Sequence, residues 1–121
     1  MARVLIVDDS PTEAYVLKSM LEKNGYQTVA ASSGEEGIVK SKTEKPDLIL
    51  MDVVMPGLNG FQATRQITKD PETAAIPVII VTTKNQETDK VWGLRQGAKD
   101  YVTKPVDESE LMNKIKTVMG N

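Results

Sequence analysis

Four apolar runs in this chain each stop at, or just before, a residue able to handle a phosphoryl group or a hard cation. Asp8 and Asp9 follow Val4–Val7, Asp52 follows Leu48–Met51, Thr82 follows Val78–Val81, and Lys104 stands just beyond Tyr101–Thr103. If the runs are parallel strands, their polar stops gather at one edge of one sheet, where open α/β sheets bind ligands. Adjacent strand residues point to opposite faces, so Asp8 and Asp9 serve one site only if the first strand has ended at Val7. Clustered carboxylates repel one another, and burial raises the cost. A hard divalent cation relieves that repulsion, and an all-oxygen donor set suits Mg²⁺, with Mn²⁺ as a substitute. Taken singly, each aspartate is an ordinary loop or helix-cap residue. The joint pattern with Thr82 and Lys104 is what makes a site.

The rest of the composition narrows the chemistry. The 121 residues include no cysteine and no histidine. Disulfides, thiolate metal sites and thiol catalysis are thereby excluded, as are Ser-His triads, imidazole bases and His-ligated zinc. Hydrophobic residues make up 40% of the chain, enough for one core without a staple. The net charge is -2, with both signs spread along the sequence, which argues against a nucleic-acid binder. The opening MARVLIVDDS is too short for a signal peptide. No stretch approaches the roughly 18 apolar residues of a membrane span, so a cytoplasmic protein off the membrane is expected.

The elements that must position these residues are legible from pattern. Arg3–Val7 reads as a strand buried on both faces. Ser10, Pro11 and Glu13 start a helix, with Ser10 as cap, Pro11 at the first helical position and Glu13 closing a capping box. Tyr15, Leu17, Met20 and Leu21 form its apolar side, and Asn24-Gly25 ends it. Tyr26–Ala31 is a second strand, and Ser33 to Glu36 repeats the capping-box signal before a helix to about Thr43. Leu48–Met51 is a third strand, and Asp52–Gly60 is a turn region rich in Pro, Gly and Asn. A helix over Phe61–Lys69, a strand over Val78–Val81, and a helix from about Gln86 to Arg95 follow. A short strand over Asp100–Thr103 precedes a last helix that starts at Asp107 with Glu110 and runs almost to Asn121. The alternation βαβαβαβαβα predicts an α/β fold, a doubly wound five-stranded parallel sheet with five helices. Residues 1–121 read as a single domain without room for an effector domain.

The same residues carry a family resemblance that spans the whole chain. Val7-Asp8-Asp9-Ser10, Met51-Asp52-Val53-Val54-Met55-Pro56-Gly57, Val81-Thr82-Thr83 and Lys104-Pro105 resemble the receiver domain of two-component response regulators. The resemblance implies the flavodoxin-like strand order 2-1-3-4-5, which is described for a receiver of this family. It implies that Asp52 accepts a phosphoryl group from a phosphohistidine on a partner kinase. It implies that Asp9 binds Mg²⁺ directly, Asp8 mainly through water, and that the Val54 carbonyl also faces the metal. Lys104 is implied to pair with Asp52 and then with a phosphoryl oxygen, and Thr82 to donate its hydroxyl to another. Thr82 and Tyr101 fall where the family places its switch pair, and Lys104-Pro105 where it places a cis peptide. These roles are physically reasonable, because a carboxylate nucleophile needs positioning and charge neutralisation rather than a base. The donor imidazole must come from another protein, since this chain has none.

Finer features depart from the pattern of the family that the chain resembles. Thr83, Lys84 and Val54 sit beside the acceptor, where polar groups help orient a hydrolytic water. Valine cannot bind that water, and Lys84 is within reach of a phosphoryl oxygen, so a slow self-dephosphorylation is expected. Trp92, with Val91 and Leu94, reads as partial core packing, or alternatively as a partner anchor. Val53–Arg65, Thr82-Thr83-Lys84 and Val91-Trp92-Gly93 look like the stand-alone receivers of twitching motility. Those act with a CheA-like histidine kinase on a downstream pilus or motility protein, as monomers or weak dimers. A chemotaxis or phototaxis receiver, or a phosphate sink, is the near alternative. A metal-dependent phosphatase places a second acid two positions after its nucleophile, where this chain has Val54. A phosphorylation-silent module is expected to lose an acid or the lysine, and all are kept.

Overall fold

A computed structural model describes residues 2–120; Met1 and Asn121, the ends of the expected single domain, lie outside the described residues. The elements are β1 (Arg3–Val7), α1 (Pro11–Lys23), β2 (Gln27–Ala31), α2 (Gly34–Thr43), β3 (Leu48–Met51), α3 (Gly60–Lys69), β4 (Val78–Thr82), α4 (Glu87–Arg95), β5 (Asp100–Thr103) and α5 (Glu108–Met119). The five strands form one sheet in the order β2-β1-β3-β4-β5. All four pairings are parallel, with Val7 opposite Met51 and Ile80 opposite Tyr101. The order reverses between β1 and β3, which is where the aspartates stand.

Alternate strand residues feed two cores, because successive side chains point to opposite faces. Val4, Ile6, Leu48, Leu50, Ile79 and Val81 pack against Leu17 and Leu21 of α1 and Leu111, Met112 and Ile115 of α5. Leu5, Val7, Ile49, Met51 and Val78 pack on the other face, with Ala63 and Ile67 of α3 and Ile38 of α2. Each of these fully buried branched side chains contributes about 1.5–3 kcal/mol relative to exposure. A smaller cluster of Val53, Phe61, Ile80, Ala98 and Tyr101 lies toward the site end.

Three local expectations are corrected. β2 starts at Gln27, because the Tyr26 amide still donates to Leu21 O and closes the end of α1. Tyr15 does not belong to the apolar side of α1, since it is 68% exposed while Leu17 and Leu21 are buried. The Ser10 cap forms, with the Glu13 amide donating to Ser10 Oγ at 3.3 Å, but the capping box does not close. The Ser10 amide donates instead to Asp8 Oδ1 at 2.9 Å, and the Glu13 carboxylate turns elsewhere.

Candidate functional site

The strands deliver the polar residues together because backbone pairing continues just past their ends. The Asp8 amide donates to Ala31 O, the Asp52 amide to Val7 O, and the Lys104 amide to Thr82 O, at 2.8–3.0 Å. β1 ends at Val7, so Asp8 and Asp9 are free of strand alternation and reach one site. One carboxylate oxygen from each of Asp8, Asp9 and Asp52 lies within 4.8 Å of the others. Asp8 and Asp52 are buried, and Asp9 is exposed.

Lys104 enters this acid group from the end of β5, directly before a cis bond to Pro105. Its Nζ lies 2.8 Å from Asp8 Oδ2, 2.8 Å from Glu13 Oε1 and 3.6 Å from Asp52 Oδ2. Burial works against the ammonium. The Asp8 and Glu13 hydrogen bonds and the Asp52 and Asp8 charges outweigh it and raise its pKa. Burial is also the first influence on Asp52, and it pushes that carboxyl up. The Asp8 charge adds to the rise, while Lys104, the Thr82 hydroxyl and the Val53 amide only partly offset it. That amide donates to Asp52 Oδ1 at 2.8 Å.

The loop behind Asp52 is tied down by α3. Asn59 caps that helix in a complete capping box with Gln62, at 2.9 Å each way. A side chain at Gly60 would put its Cβ 1.8 Å from Asp52 O, so only glycine fits there. By composition Asn59 reads as a turn residue, although the Asn-x-x-Gln spacing carries the cap signal.

On the β4 side, Thr82 and Tyr101 are buried and joined through the main chain of Lys84. Tyr101 OH donates to Lys84 O at 2.9 Å, and the Lys84 amide donates to Thr82 Oγ1 at 3.5 Å. Burial, then the charges of Asp89 and Asp52, push the Tyr101 phenol up to about 12. The Lys84 ammonium lies 3.8 Å from Asp89 Oδ1. Thr83 and Val54 are exposed. Trp92 does not pack into the core: it is 51% exposed beside exposed Val91 and Leu94, and Gly93 is the buried residue of α4.

Three carboxylates, Asp8, Glu13 and Asp52, thus meet one ammonium, and Asp9 adds a fourth negative charge beside Asp8 and Asp52. Both oxygens of Asp8 are engaged, by the Ser10 amide and by Lys104. The excess negative charge and the oxygen-only donors fit a hard divalent cation.

Comparison with known proteins agrees with this arrangement. The model of the response regulator receiver domain matches residues 4–116. Protein PilH of Pseudomonas aeruginosa is 68% identical over 120 residues, covering 99% of each chain. The Vibrio cholerae chemotaxis protein CheY4 superposes with a TM-score of 0.91 at 29% identity, covering 98% of each chain. The receiver domain of a sensor histidine kinase from Pseudomonas aeruginosa superposes with a TM-score of 0.90 at 29% identity, covering 99% of this chain and 98% of its own. That receiver holds a magnesium ion coordinated in its active-site cleft.

Proposed function

The chain belongs to the response regulator receiver family, and from that premise we propose that Asp52 takes a phosphoryl group from a partner histidine kinase in type IV pilus signalling. The observation that supports this best is the buried Asp52 carboxylate, set beside Asp8 and Asp9 with Lys104 Nζ 3.6 Å away. In the transfer, an Asp52 oxygen forms a bond to phosphorus, the bond from phosphorus to the donor imidazole breaks, and the imidazole leaves. Return to the free carboxylate takes a water oxygen onto phosphorus and releases inorganic phosphate. Chemistry of this kind needs positioning and charge neutralisation more than a base.

Asp8, Asp9 and Asp52 would hold Mg²⁺ with the Val54 carbonyl. When bound, the cation supplies positive charge against the phosphoryl oxygens. Lys104 offers a point charge to one phosphoryl oxygen and Thr82 a hydroxyl to another. Thr82, Lys84 and Tyr101 then form a two-state element whose packing responds to the added charge. Exposed Val91, Trp92 and Leu94 lie on α4, next to that element, and are the proposed output contacts.

The likeness to Protein PilH supports a receiver with a CheA-like donor and a target in the pilus machinery. The protein acts as a phosphoacceptor with slow self-turnover rather than as an enzyme. No helix among the described residues is long and apolar enough to cross a membrane, which is compatible with a cytoplasmic pathway.

Incubation with acetyl phosphate and Mg²⁺, followed by intact-mass measurement, tests the reading. Wild type is expected to gain one phosphoryl group, chelation of the metal to prevent it, and Asp52→Asn to gain none. Equal labelling of Asp52→Asn would sink the assignment. Phosphotransfer from purified CheA-like kinases of the source organism then tests the pathway.

A further inference from the structure

Glu13 stands at the site without a role in the chemistry above. Its carboxylate lies 2.8 Å from Lys104 Nζ, as close as Asp8 and closer than Asp52 at 3.6 Å. An ammonium has only three N–H donors, so three carboxylates together fix where it rests. Two of the three are set by the backbone: Asp8 accepts from the Ser10 amide and Asp52 from the Val53 amide. Glu13 differs, because its longer side chain reaches in from the first turn of α1 and is 45% exposed. Lys104 therefore rests where Asp8 and Glu13 meet, displaced from Asp52.

We propose that Glu13 is a positioning residue that holds the Lys104 ammonium toward α1 and so weakens its grip on any group attached to Asp52. The proposal rests on the phosphoacceptor reading. For Lys104 to close on a phosphoryl oxygen, its contact with Glu13 must lengthen, and the attraction lost opposes the move. A half-exposed ion pair of this kind limits the effect to roughly threefold to fivefold in affinity. Glu13 thus makes the occupied state of Asp52 easier to reverse without touching the reacting atoms.

A double-mutant cycle isolates the contact. Beryllofluoride, whose beryllium takes one Asp52 oxygen as its fourth ligand, is titrated by fluorine NMR at saturating Mg²⁺. The proteins are wild type, Glu13→Gln, Lys104→Ala and the double variant, with titrant carried high enough to read weak binding. Glu13→Gln is expected to bind roughly threefold to fivefold tighter than wild type. In the Lys104→Ala background the same substitution is expected to change affinity by less than about twofold. An equal gain in both backgrounds overturns the proposal, because Glu13 then acts through its field and not through Lys104. No gain in either background also overturns it and leaves the phosphoacceptor reading standing. A wild type that binds no beryllofluoride overturns that reading and the proposal together.

Discussion

At the ends of β1 and β3, Asp8 and Asp52 are held by burial and by backbone that leaves no slack. On the other side, Thr82 at the end of β4, Lys84 just after it and Tyr101 within β5 are joined by two hydrogen bonds, of 2.9 and 3.5 Å. The first region has Gly60 pressed against Asp52 O, so its geometry is over-determined. The second leads into α4, whose buried residue is Gly93 and whose Val91, Trp92 and Leu94 face outward. The contrast is between an Asp52 that stays fixed and a neighbouring surface with fewer ties. Local stability is low where buried apolar contacts are few, and Gly93 is the one buried residue of α4.

The comparison breaks first at Gly60. Gly60→Ala forces its Cβ into the Asp52 carbonyl and is expected to destabilise the fold by about 3 kcal/mol or more, read by urea denaturation. An alanine tolerated at below about 1 kcal/mol would mean that the loop after Asp52 is as yielding as α4.

Asp52→Asn is expected to act in the opposite direction. Burial, with Asp8, raises the folded pKa of Asp52 above the ordinary 3.8. A raised carboxyl favours the folded state when protonated, and that advantage is lost as pH rises through the folded pKa. At neutral pH without metal, the charged group is therefore a cost, and the asparagine variant is expected to be more stable by about 1–2 kcal/mol. Below pH 3.8 both states of Asp52 are protonated and the gap is expected to close, which melting curves across pH measure.

The β4 side is expected to yield smaller effects. Tyr101→Phe removes the 2.9 Å bond to Lys84 O and is expected to cost about 1 kcal/mol. Faster hydrogen exchange should then appear in α4 and not around Asp52. Lys84→Ala removes a 3.8 Å surface pair with Asp89 and is expected to change stability by less than about 0.5 kcal/mol. A larger loss at Lys84 would show that its side chain, and not its main chain, holds this region.

Much of this was legible without coordinates. The uninterrupted apolar runs at Leu48–Met51 and Val78–Val81 read as strands covered on both faces, and every strand lies within one residue of its expected bounds. Asp8, Asp9, Asp52 and Lys104 were marked by their places at run ends, and they do converge. Other residues were misread because local pattern is silent about distant partners. Glu13 has the spacing of a capping-box acid, yet Lys104, far along the chain, offers its carboxylate a buried positive charge in place of a backbone amide. Trp92 reads by type as partial core packing or as a partner anchor, and the fold decides between them: Gly93 is what α4 turns toward Ile80 and Tyr101, and Trp92 is 51% exposed.

The sequence by itself determined the elements, their alternation, and the set of residues gathered at the sheet edge. Periodicity and capping act within a few residues of chain and need no knowledge of the fold. Only the tertiary structure decided how the charges pair. Lys104 rests on Asp8 and Glu13 before Asp52, and Lys84 serves through its backbone while its ammonium turns to Asp89. Such pairings depend on distance and burial across strands β1, β3, β4 and β5, and these are fixed only when the sheet has assembled.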